Sequence, residues 1–400
     1  MRGKCPRLLN PILWAAWPLF LCVGVIVFWQ VQQVLAKYQI PKLVEQLRAQ
    51  RKFFEPMEYT RERDSVSSAD TLSWNRVASM IDSHQLAVWF PPKDSPLPQI
   101  IRALPPQAAS YLASMEPVLL ELHRLSPEAT ATWRPTCSDS IWNYWDLNLE
   151  VAAMQLLRME VFAASKAGDS LRVWNAVESM HGVWLIADPS RCETVAQLLE
   201  HLTGGVMTAV EHSGLTETQL REVLQWLDQP NWKAIGLDWL EQNQGNLLAN
   251  PSRDYGTLPS VWASGLKTAL GSHATFAEHL DELLSTGKMP GAQELTSFEL
   301  YQNYSLQGDH ILPQIERLED GRRWARAAVG LRLYREIHGT WPEKLTDLCA
   351  LGIPANELST CRAGAIGYRV DGEYADLWIN PKGTSQVPEA NFHVASIALQ

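Results

Sequence analysis

The sequence predicts a mainly α protein with an N-terminal transmembrane helix, an irregular antiparallel helical bundle and a small C-terminal α+β module. Three observations carry this prediction. A charge-free apolar stretch lies near the N-terminus at residues 12–29. Apolar residues then recur every three or four positions through the middle of the chain, which is typical of packed helices. Near the end, an Asp-Gly pair separates two runs of β-forming residues, and this pattern indicates a β-hairpin.

The apolar stretch 12–29, ILWAAWPLFLCVGVIVFW, has the length of a membrane span. Its eighteen residues would extend about 27 Å as a helix, against about 30 Å for the hydrocarbon core of a bilayer. Trp14, Trp17 and Trp29 lie near its ends, where interfacial aromatic residues are enriched. We therefore predict that residues 1–37 form an N-terminal tail and a transmembrane anchor.

A cleaved signal peptide is the alternative interpretation of the same stretch. Arg2, Lys4 and Arg7 precede it as a basic region, and Val34 and Ala36 form a tolerable cleavage site. The apolar stretch is longer than the roughly 7 to 15 residues of a signal-peptide core. The sequence therefore favours an uncleaved anchor.

Basic residues flank the stretch on both sides, so their count alone does not set its orientation. A short basic tail ahead of the first apolar segment usually stays in the cytoplasm, and long domains cross a membrane largely regardless of charge. We expect a single-pass protein of a bacterial inner membrane with its C-terminal domain in the periplasm.

Residues 38–137 are predicted to form a stalk, a linker and the first helices. Pro41 is expected to interrupt the helix that follows the anchor, because proline lacks a backbone N–H. Residues 55–73 are polar and show no apolar period. Residues 107–124 carry apolar side chains on one side and are predicted to form one helix.

The helical domain is predicted at residues 138–320. It opens with a long helix from 138 to about 167, which Gly168 and Asp169 end while capping the next helix. Further helices are predicted at 193–212, at 216–228 with a capping box of Thr216 and Gln219, at 231–240, and from 260 through 284.

The last part, residues 321–400, is predicted to be a small α+β module. A helix is expected from Arg322 to Gly339, followed by a short helical turn after Pro342. A hairpin with its turn at Asp371 and Gly372 comes next, and residues 392–399 are a candidate third strand of a meander.

This module resembles the C-terminal part of type II secretion pseudopilins, and the ends of many membrane-anchored bacterial proteins that carry a helical domain before it. The resemblance lies in a helix followed by HGTWPEKLTDL and by the hairpin GYRVDGEYADLWINPKG, about sixty residues in all. It implies a fold and a membrane-anchored setting. A prepilin peptidase motif, which a pseudopilin needs ahead of its apolar segment, is missing, so processing as a pilin is not expected. The matching positions are Gly339, Trp341, Pro342, Leu345, Leu348, Gly367, Tyr368 and Gly372.

Cys349 and Cys361 form a possible disulfide, because they flank the short stretch LGIPANELST. Closing a loop of that size would stabilise the fold by about 3 kcal/mol in the chain-entropy model. Buried free thiols are the alternative. A contact between Cys137 and Cys192 cannot be derived from the sequence.

The sequence contains none of the strong catalytic or metal-binding motifs, so catalytic residues are unknown and no metal or cofactor is predicted. Asp146 and Glu150 share a helix face, and Glu160 lies on the same helix, but a solvated polar face explains all three. Four histidines that resemble a ligand set lack the spacing of a helical metal pair and are interpreted as ordinary side chains. They are His201, His212, His273 and His279.

Tryptophan is the one compositional oddity, with 17 residues in the chain. Indole rings could line a groove for a sugar or a peptide, since they offer a large contact area and a polar N–H. Most of them, however, fall at apolar positions of predicted helices, so core packing is favoured. These are Trp142, Trp145, Trp174, Trp184, Trp232, Trp239, Trp262 and Trp324.

The charge balance excludes some classes of partner. A net charge of −10 and a pI near 5.5 argue against nucleic acid, which would require a basic face. The sequence therefore favours a non-enzymatic interaction or assembly component of the envelope, with the membrane and other envelope proteins as its partners. An envelope hydrolase that uses carboxylates of the helical domain is the alternative.

Overall fold

The protein is described from a computed structural model, and its residues fall into two compact units. The first unit comprises residues 1–56, 240–275 and 295–308, and the second comprises 57–239, 276–294 and 309–400. Some residues, among them 11–16 and 144–149, are described by their backbone alone. The described residues are 11–50, 77, 80–81, 86, 101, 103–124, 144–186, 192–212, 214–228, 232–249, 259–286, 311–360, 364–379 and 392–395.

The described part of the chain is mainly helical, with one long apolar N-terminal helix and a small antiparallel sheet near the C-terminus, which confirms the predicted class in outline. The α-helices are α1 (Pro11–Gln50), α2 (Pro106–Ser114), α3 (Glu116–Arg124), α4 (Tyr144–Ala167), α5 (Ser170–Ile186), α6 (Cys192–His212), α7 (Glu217–Trp226), α8 (Trp232–Ala249), α9 (Pro259–Thr286) and α10 (Leu312–His338).

Helix α1 exposes an apolar surface on all sides over its first half. The described large apolar side chains from Trp17 to Val31 are between 45% and 67% exposed. It is the one described helix that is long and apolar enough to cross a membrane, although a signal sequence passes the same test. The C-terminal half behaves differently, since Leu43 and Leu47 are buried.

The predicted interruption at Pro41 is wrong, because α1 continues through this residue to Gln50. Pro41 cannot donate the hydrogen bond to the carbonyl of Lys37, and an interior proline costs a helix about 3 kcal/mol. Residues on both sides of the proline pack in one apolar cluster, and this burial offsets the cost. The cluster consists of Ala36, Leu43, Leu47, Ala263, Leu266 and Ala269, with Ile40, Val44 and Leu270 packed against it.

The single helix predicted over 107–124 is divided in the structure. Helix α2 ends at Ser114, and α3 begins at Glu116. Pro117, the second residue of α3, supplies the physical reason: it has no N–H to donate to the carbonyl four residues before it, whereas the first turn of a helix tolerates proline.

Helices α4, α5, α6 and α10 form the core of the second unit. Gly168, with φ +74°, ends α4, and the Asp169 carboxylate accepts a hydrogen bond from the backbone N–H of Arg172 at the start of α5. This is the predicted turn between two helices. The predicted capping box is also present, since Thr216 accepts from the backbone N–H of Gln219 and the Gln219 side chain accepts from that of Thr216.

Helix α10 begins at Leu312, ten residues before the predicted start at Arg322. The proposed boundary between residues 320 and 321 therefore falls inside one helix. Almost every side chain from Leu312 to Leu333 is buried, charged residues included. The stretch before Arg322 is rich in acidic and basic residues, which usually mark a solvated surface, so the local pattern does not reveal this buried part of the helix.

The C-terminal part of the chain carries the small sheet, which has the strand order β1-β2-β3-β4 with antiparallel neighbours. The hairpin is confirmed, and Asp371 pairs with Tyr374, so the two-residue loop is Gly372 and Glu373 and not Asp371 and Gly372 as predicted. Gly372 has φ +59°, which suits the first loop position of a type II′ turn. The strands are β1 (Ser359–Thr360), β2 (Gly364–Asp371), β3 (Tyr374–Ile379) and β4 (Phe392–Ala395).

The segment between α10 and the sheet is tied to the hairpin by side-chain hydrogen bonds. Tyr368 donates its hydroxyl to the carbonyl of Pro342 at 2.7 Å, and Trp341 donates its indole N–H to the carbonyl of Glu373 at 3.2 Å. Arg335 of α10 lies 4.6 Å from the Trp341 ring and also pairs with the Glu373 carboxylate. Three positions of the pseudopilin-like pattern thus serve to hold the hairpin against α10.

Candidate functional site

The predicted acidic positions of α4 do not lie on a solvated face. Glu150 and Glu160 are 2% and 1% exposed, so the interpretation of these two residues as a polar surface is wrong. The side chain of Asp146 lies outside the described residues. The i, i+4 spacing of Asp146 and Glu150 occurs on solvated helix faces and on buried ones. The local sequence does not show which other helices cover this face.

Glu160 belongs to a partly buried polar cluster that joins α3, α4 and α5. His123 of α3 has its Nε2 atom 3.0 Å from Glu160 Oε2 and its Nδ1 atom 2.9 Å from the Ser179 hydroxyl of α5. Arg172 of α5 donates from Nε to Glu160 at 2.7 Å and from Nη2 to Glu116 of α3 at 2.6 Å. We call these five residues the Glu160 cluster.

The charges of the Glu160 cluster support one another. Burial by itself lowers the pKa of Arg172, but the hydrogen bonds and charges of Glu116 and Glu160 outweigh burial and raise it above the ordinary value. Arg172 is therefore a permanent cation between two carboxylates. Such charge-assisted hydrogen bonds are shorter and stronger than neutral ones, so the cluster holds three helices together.

The order Ser179, His123, Glu160 has the composition of a nucleophile, a base and an orienting acid. The Ser179 hydroxyl, however, donates to the carbonyl of Asn175 at 2.7 Å, as serines inside helices do. The hydroxyl has a single proton, so the Asn175 carbonyl competes for it with His123 Nδ1, the atom that would have to accept it in an activated nucleophile. Ser179 is also only 5% exposed and lies inside α5, where backbone N–H groups bond to carbonyls four residues earlier and are not placed to bind an oxyanion.

A second polar cluster lies at the centre of α10, and sequence reasoning missed it. Glu319 accepts hydrogen bonds from Arg322, Arg323 and the indole N–H of Trp232, at 2.7 to 2.8 Å. Burial alone would raise the pKa of Glu319, but these hydrogen bonds and the two guanidinium charges outweigh it and lower the pKa. The carboxylate is thus held ionised inside the protein.

A third arginine of α10, Arg326, connects this cluster to Glu357, which lies just before strand β1. Arg326 binds Glu357 at 2.8 Å and Asp228 at 2.8 Å, and Arg322 also donates to the carbonyl of Leu227 at 2.6 Å. Three guanidinium groups thus face three carboxylates, and the charges balance. We call this set the α10 arginine cluster: Asp228, Trp232, Glu319, Arg322, Arg323, Arg326 and Glu357.

Two histidines, the buried His201 and the half-buried His181, are held neutral. His201 Nδ1 lies 2.7 Å from Arg158 Nη1, and burial followed by the Arg158 charge lowers the pKa of His201 well below its ordinary value. His181 stacks on Trp226 with ring centroids 4.2 Å apart, and burial lowers its pKa to about 4. Neither arrangement suits an acid catalyst at neutral pH.

The histidines of the sequence analysis whose side chains are described are not brought together as ligands. His201 faces Arg158, His212 packs edge-on against Phe162, and the side chain of His273 lies outside the described residues. Within the described ranges, no group of three or more His, Cys, Asp or Glu residues is arranged to hold a metal ion.

Some of the described tryptophans of the helical region lie in the core, and others are only half-buried. Trp232, Trp239 and Trp324 are at most 1% exposed, as predicted, whereas Trp174 and Trp184 are half-buried. The side chains of Trp142, Trp145 and Trp262 lie outside the described residues.

The predicted disulfide is untested by the structure. Cys349 is exposed in the short 3₁₀-helix Leu345–Leu351, while Cys361 lies outside the described residues, as does Cys137. The pairing of Cys349 with Cys361 stays a prediction.

Comparisons of this chain with protein-family models, with curated proteins and with solved structures gave no match.

Proposed function

We propose that the chain is a single-pass inner-membrane protein whose helical body lies in the periplasm and acts as a non-enzymatic interaction or assembly component of the envelope. The observation that carries this proposal is the surface of α1. From Trp17 to Val31 its apolar side chains are exposed on every side, which is unfavourable in water and favourable in lipid.

The polar chemistry of the second unit supports a non-enzymatic role. The Glu160 cluster is partly buried, the α10 arginine cluster is buried apart from Asp228, and the charges within each cluster pair with one another. Such networks fix the arrangement of helices and leave few groups for a substrate. Of the carboxylates that the sequence offered for catalysis, Glu160 belongs to the first of these networks.

A pair of reporter fusions tests the orientation. Alkaline phosphatase fused after Gln400 is active only in an oxidising periplasm, whereas a fluorescent cytoplasmic reporter at the same position requires the opposite location. We expect phosphatase activity. A silent phosphatase fusion together with a bright cytoplasmic reporter would place the body inside the cell and overturn this part of the proposal.

The interaction role is tested at exposed apolar positions of the body. Leu171 and Tyr374 are 68% and 51% exposed, although both are apolar enough to favour a partner surface. A photo-reactive amino acid at each position should give discrete, reproducible adducts with envelope proteins in intact cells. Lys166, on the exposed end of α4, serves as a polar control position. If adducts at the two apolar positions do not exceed those at Lys166, the interaction role loses its support.

An envelope hydrolase is the second candidate, and the contact of Ser179 with His123 and Glu160 is the observation that favours it. The purified full chain would be screened in detergent against ester, peptide and glycan substrates, with the variant Ser179→Ala as the comparison. Alanine removes the hydroxyl but conserves the helix. Turnover by the native chain that the variant lacks would replace the non-enzymatic proposal with this one.

A further inference from the structure

The C-terminal half of α1 is joined to α9 inside the first unit. The Gln33 side chain donates from Nε2 to the Ser260 hydroxyl at 2.6 Å, and its Oε1 accepts from the Ser260 backbone N–H at 3.1 Å. Ser260 is the second residue of α9, whose first N–H groups have no partner within the helix. Gln33, 7% exposed, therefore caps α9 from a position just beyond the apolar stretch.

The two helices run in the same direction from this contact. Ser260 lies in the first turn of α9, so the rest of that helix follows it in the sequence. Its residues Ala263, Leu266 and Ala269 share a buried cluster with Ala36, Leu43 and Leu47, which follow Gln33 in α1. The α1 positions are spaced by three and four residues, as in the seam of two packed helices. We call this contact the α1–α9 seam: Gln33, Ala36, Ile40, Leu43 and Leu47 on α1, and Ser260, Ala263, Leu266, Ala269 and Leu270 on α9.

The tolerable signal-peptidase site falls inside this seam. Its two recognition positions would be Val34 and Ala36, with cleavage before Lys37. Val34 is 51% exposed, but Ala36 is 5% exposed and belongs to the buried cluster. Cleavage there would remove Gln33, leave the start of α9 without its cap, and take Ala36 out of the core. A protease also binds its substrate as an extended chain, so this stretch would have to unwind.

We propose that the peptide bond between Ala36 and Lys37 is not a processing site, and that the seam keeps α1 in the mature protein as a permanent part of the first unit. This inference deepens the proposed function, since it decides between a retained anchor and a cleaved leader. The inference rests on the proposed function because signal peptidase would meet this chain only if its body is exported. The Ala36–Lys37 bond itself can be tested on the purified chain, whichever side of the membrane the body occupies.

The first test incubates the purified full chain, in detergent, with a bacterial signal peptidase and measures its intact mass; a secretory preprotein serves as the positive control. The variant Val34→Ala is treated in the same way. It creates the preferred Ala-x-Ala pattern at an exposed position and leaves the buried positions of the seam unchanged. We expect less than about a tenth of either protein to be cut while the control is fully processed. A new N-terminus at Lys37 in the native chain would overturn the proposal.

The second test asks whether the seam is the cause. Adding Leu43→Asp and Leu47→Asp to Val34→Ala places charges in the buried cluster and opens it, because unpaired buried charges are strongly unfavourable. This triple variant should be cut at Lys37 at least tenfold faster than Val34→Ala alone. If Val34→Ala is itself cut readily, or if the triple variant resists as well, the seam does not protect the bond and the inference fails. Both results are independent of the reporter fusions, so a wrong orientation and a wrong processing inference remain distinguishable.

Discussion

At the scale of single residues, Glu319 is the charge on which the α10 arginine cluster depends. It receives hydrogen bonds from Arg322, Arg323 and Trp232, and its side chain is fully buried. Glu319→Gln conserves its shape but leaves two buried guanidinium groups without their shared anion, so we expect a loss of about 3 to 5 kcal/mol in unfolding free energy. Chemical denaturation in detergent measures this change. Glu217→Gln is the matched control: the Glu217–Arg221 pair is half exposed, and its removal should cost less than about 1 kcal/mol. Equal losses of unfolding free energy in the two variants would contradict the prediction that the α10 arginine cluster stabilises the fold more than an exposed ion pair does.

His181 makes a pH-dependent contribution at the same scale. Its pKa is about 4 in the fold, below the ordinary 6.5, so between these values the unfolded chain binds more protons and stability falls as the pH decreases. His181→Phe conserves the stacking on Trp226 and removes the titration. Between pH 7 and pH 4.5, the variant should lose about 2 kcal/mol less unfolding free energy than the native chain. The difference between the two chains isolates His181, because His201 and other buried groups contribute to both. Identical pH profiles would contradict the prediction.

At the scale of elements, α1 carries an interior proline that the seam compensates. The Pro41 side chain is exposed, and Pro41→Ala would restore a backbone hydrogen bond to the carbonyl of Lys37. We expect the unfolding free energy of the first unit to rise by about 1 to 3 kcal/mol. Lys42→Ala, an exposed neighbour, should change it by less than about 0.5 kcal/mol. Hydrogen exchange of the α1 amides measures the gain, and unchanged or faster exchange in Pro41→Ala would indicate that the helix needs the proline.

The hairpin contains a close approach that glycine permits. A Cβ atom at Gly367 would overlap the ring of Trp378, its cross-strand neighbour. Gly367→Val must therefore displace the indole or separate the strands, and we expect a loss of about 1 to 3 kcal/mol together with a shift in tryptophan fluorescence. Val370→Ala, on the exposed part of the same strand, is the control and should alter neither quantity appreciably. A neutral Gly367→Val would mean that Trp378 has room to move.

Over the whole molecule, the features that sequence predicted well are those set by local chemistry. The Gly168 turn, the Thr216 capping box and the Gly372 hairpin depend on a few neighbouring residues, and each is present. The errors arise where distant contacts outweigh local preference. Helix α1 passes through Pro41 because residues on both sides of the proline pack against α9. Glu160 is internal beside Arg172 of another helix, and Glu319 is internal beside Trp232 of another helix and two arginines of its own. Pairing partners that are 12 residues away or on another helix cannot be recognised from the period of one helix.

Membrane insertion is the property on which the proposed function depends, and it can be tested in the intact protein. Leu21 and Val25 are 54% and 63% exposed near the middle of the apolar stretch. Arginine at each position costs insertion about 2.5 to 3.5 kcal/mol, so Leu21→Arg with Val25→Arg should abolish integration. After alkaline carbonate extraction, the native chain should stay in the membrane pellet and the double variant should leave it. Gln30→Arg, at the edge of the stretch, should behave as the native chain does, because a long cationic side chain near the end of a span reaches the headgroups. If the double variant is retained as fully as the native chain, the exposed surface of α1 is covered by protein and not by lipid, and the proposed membrane anchor is wrong.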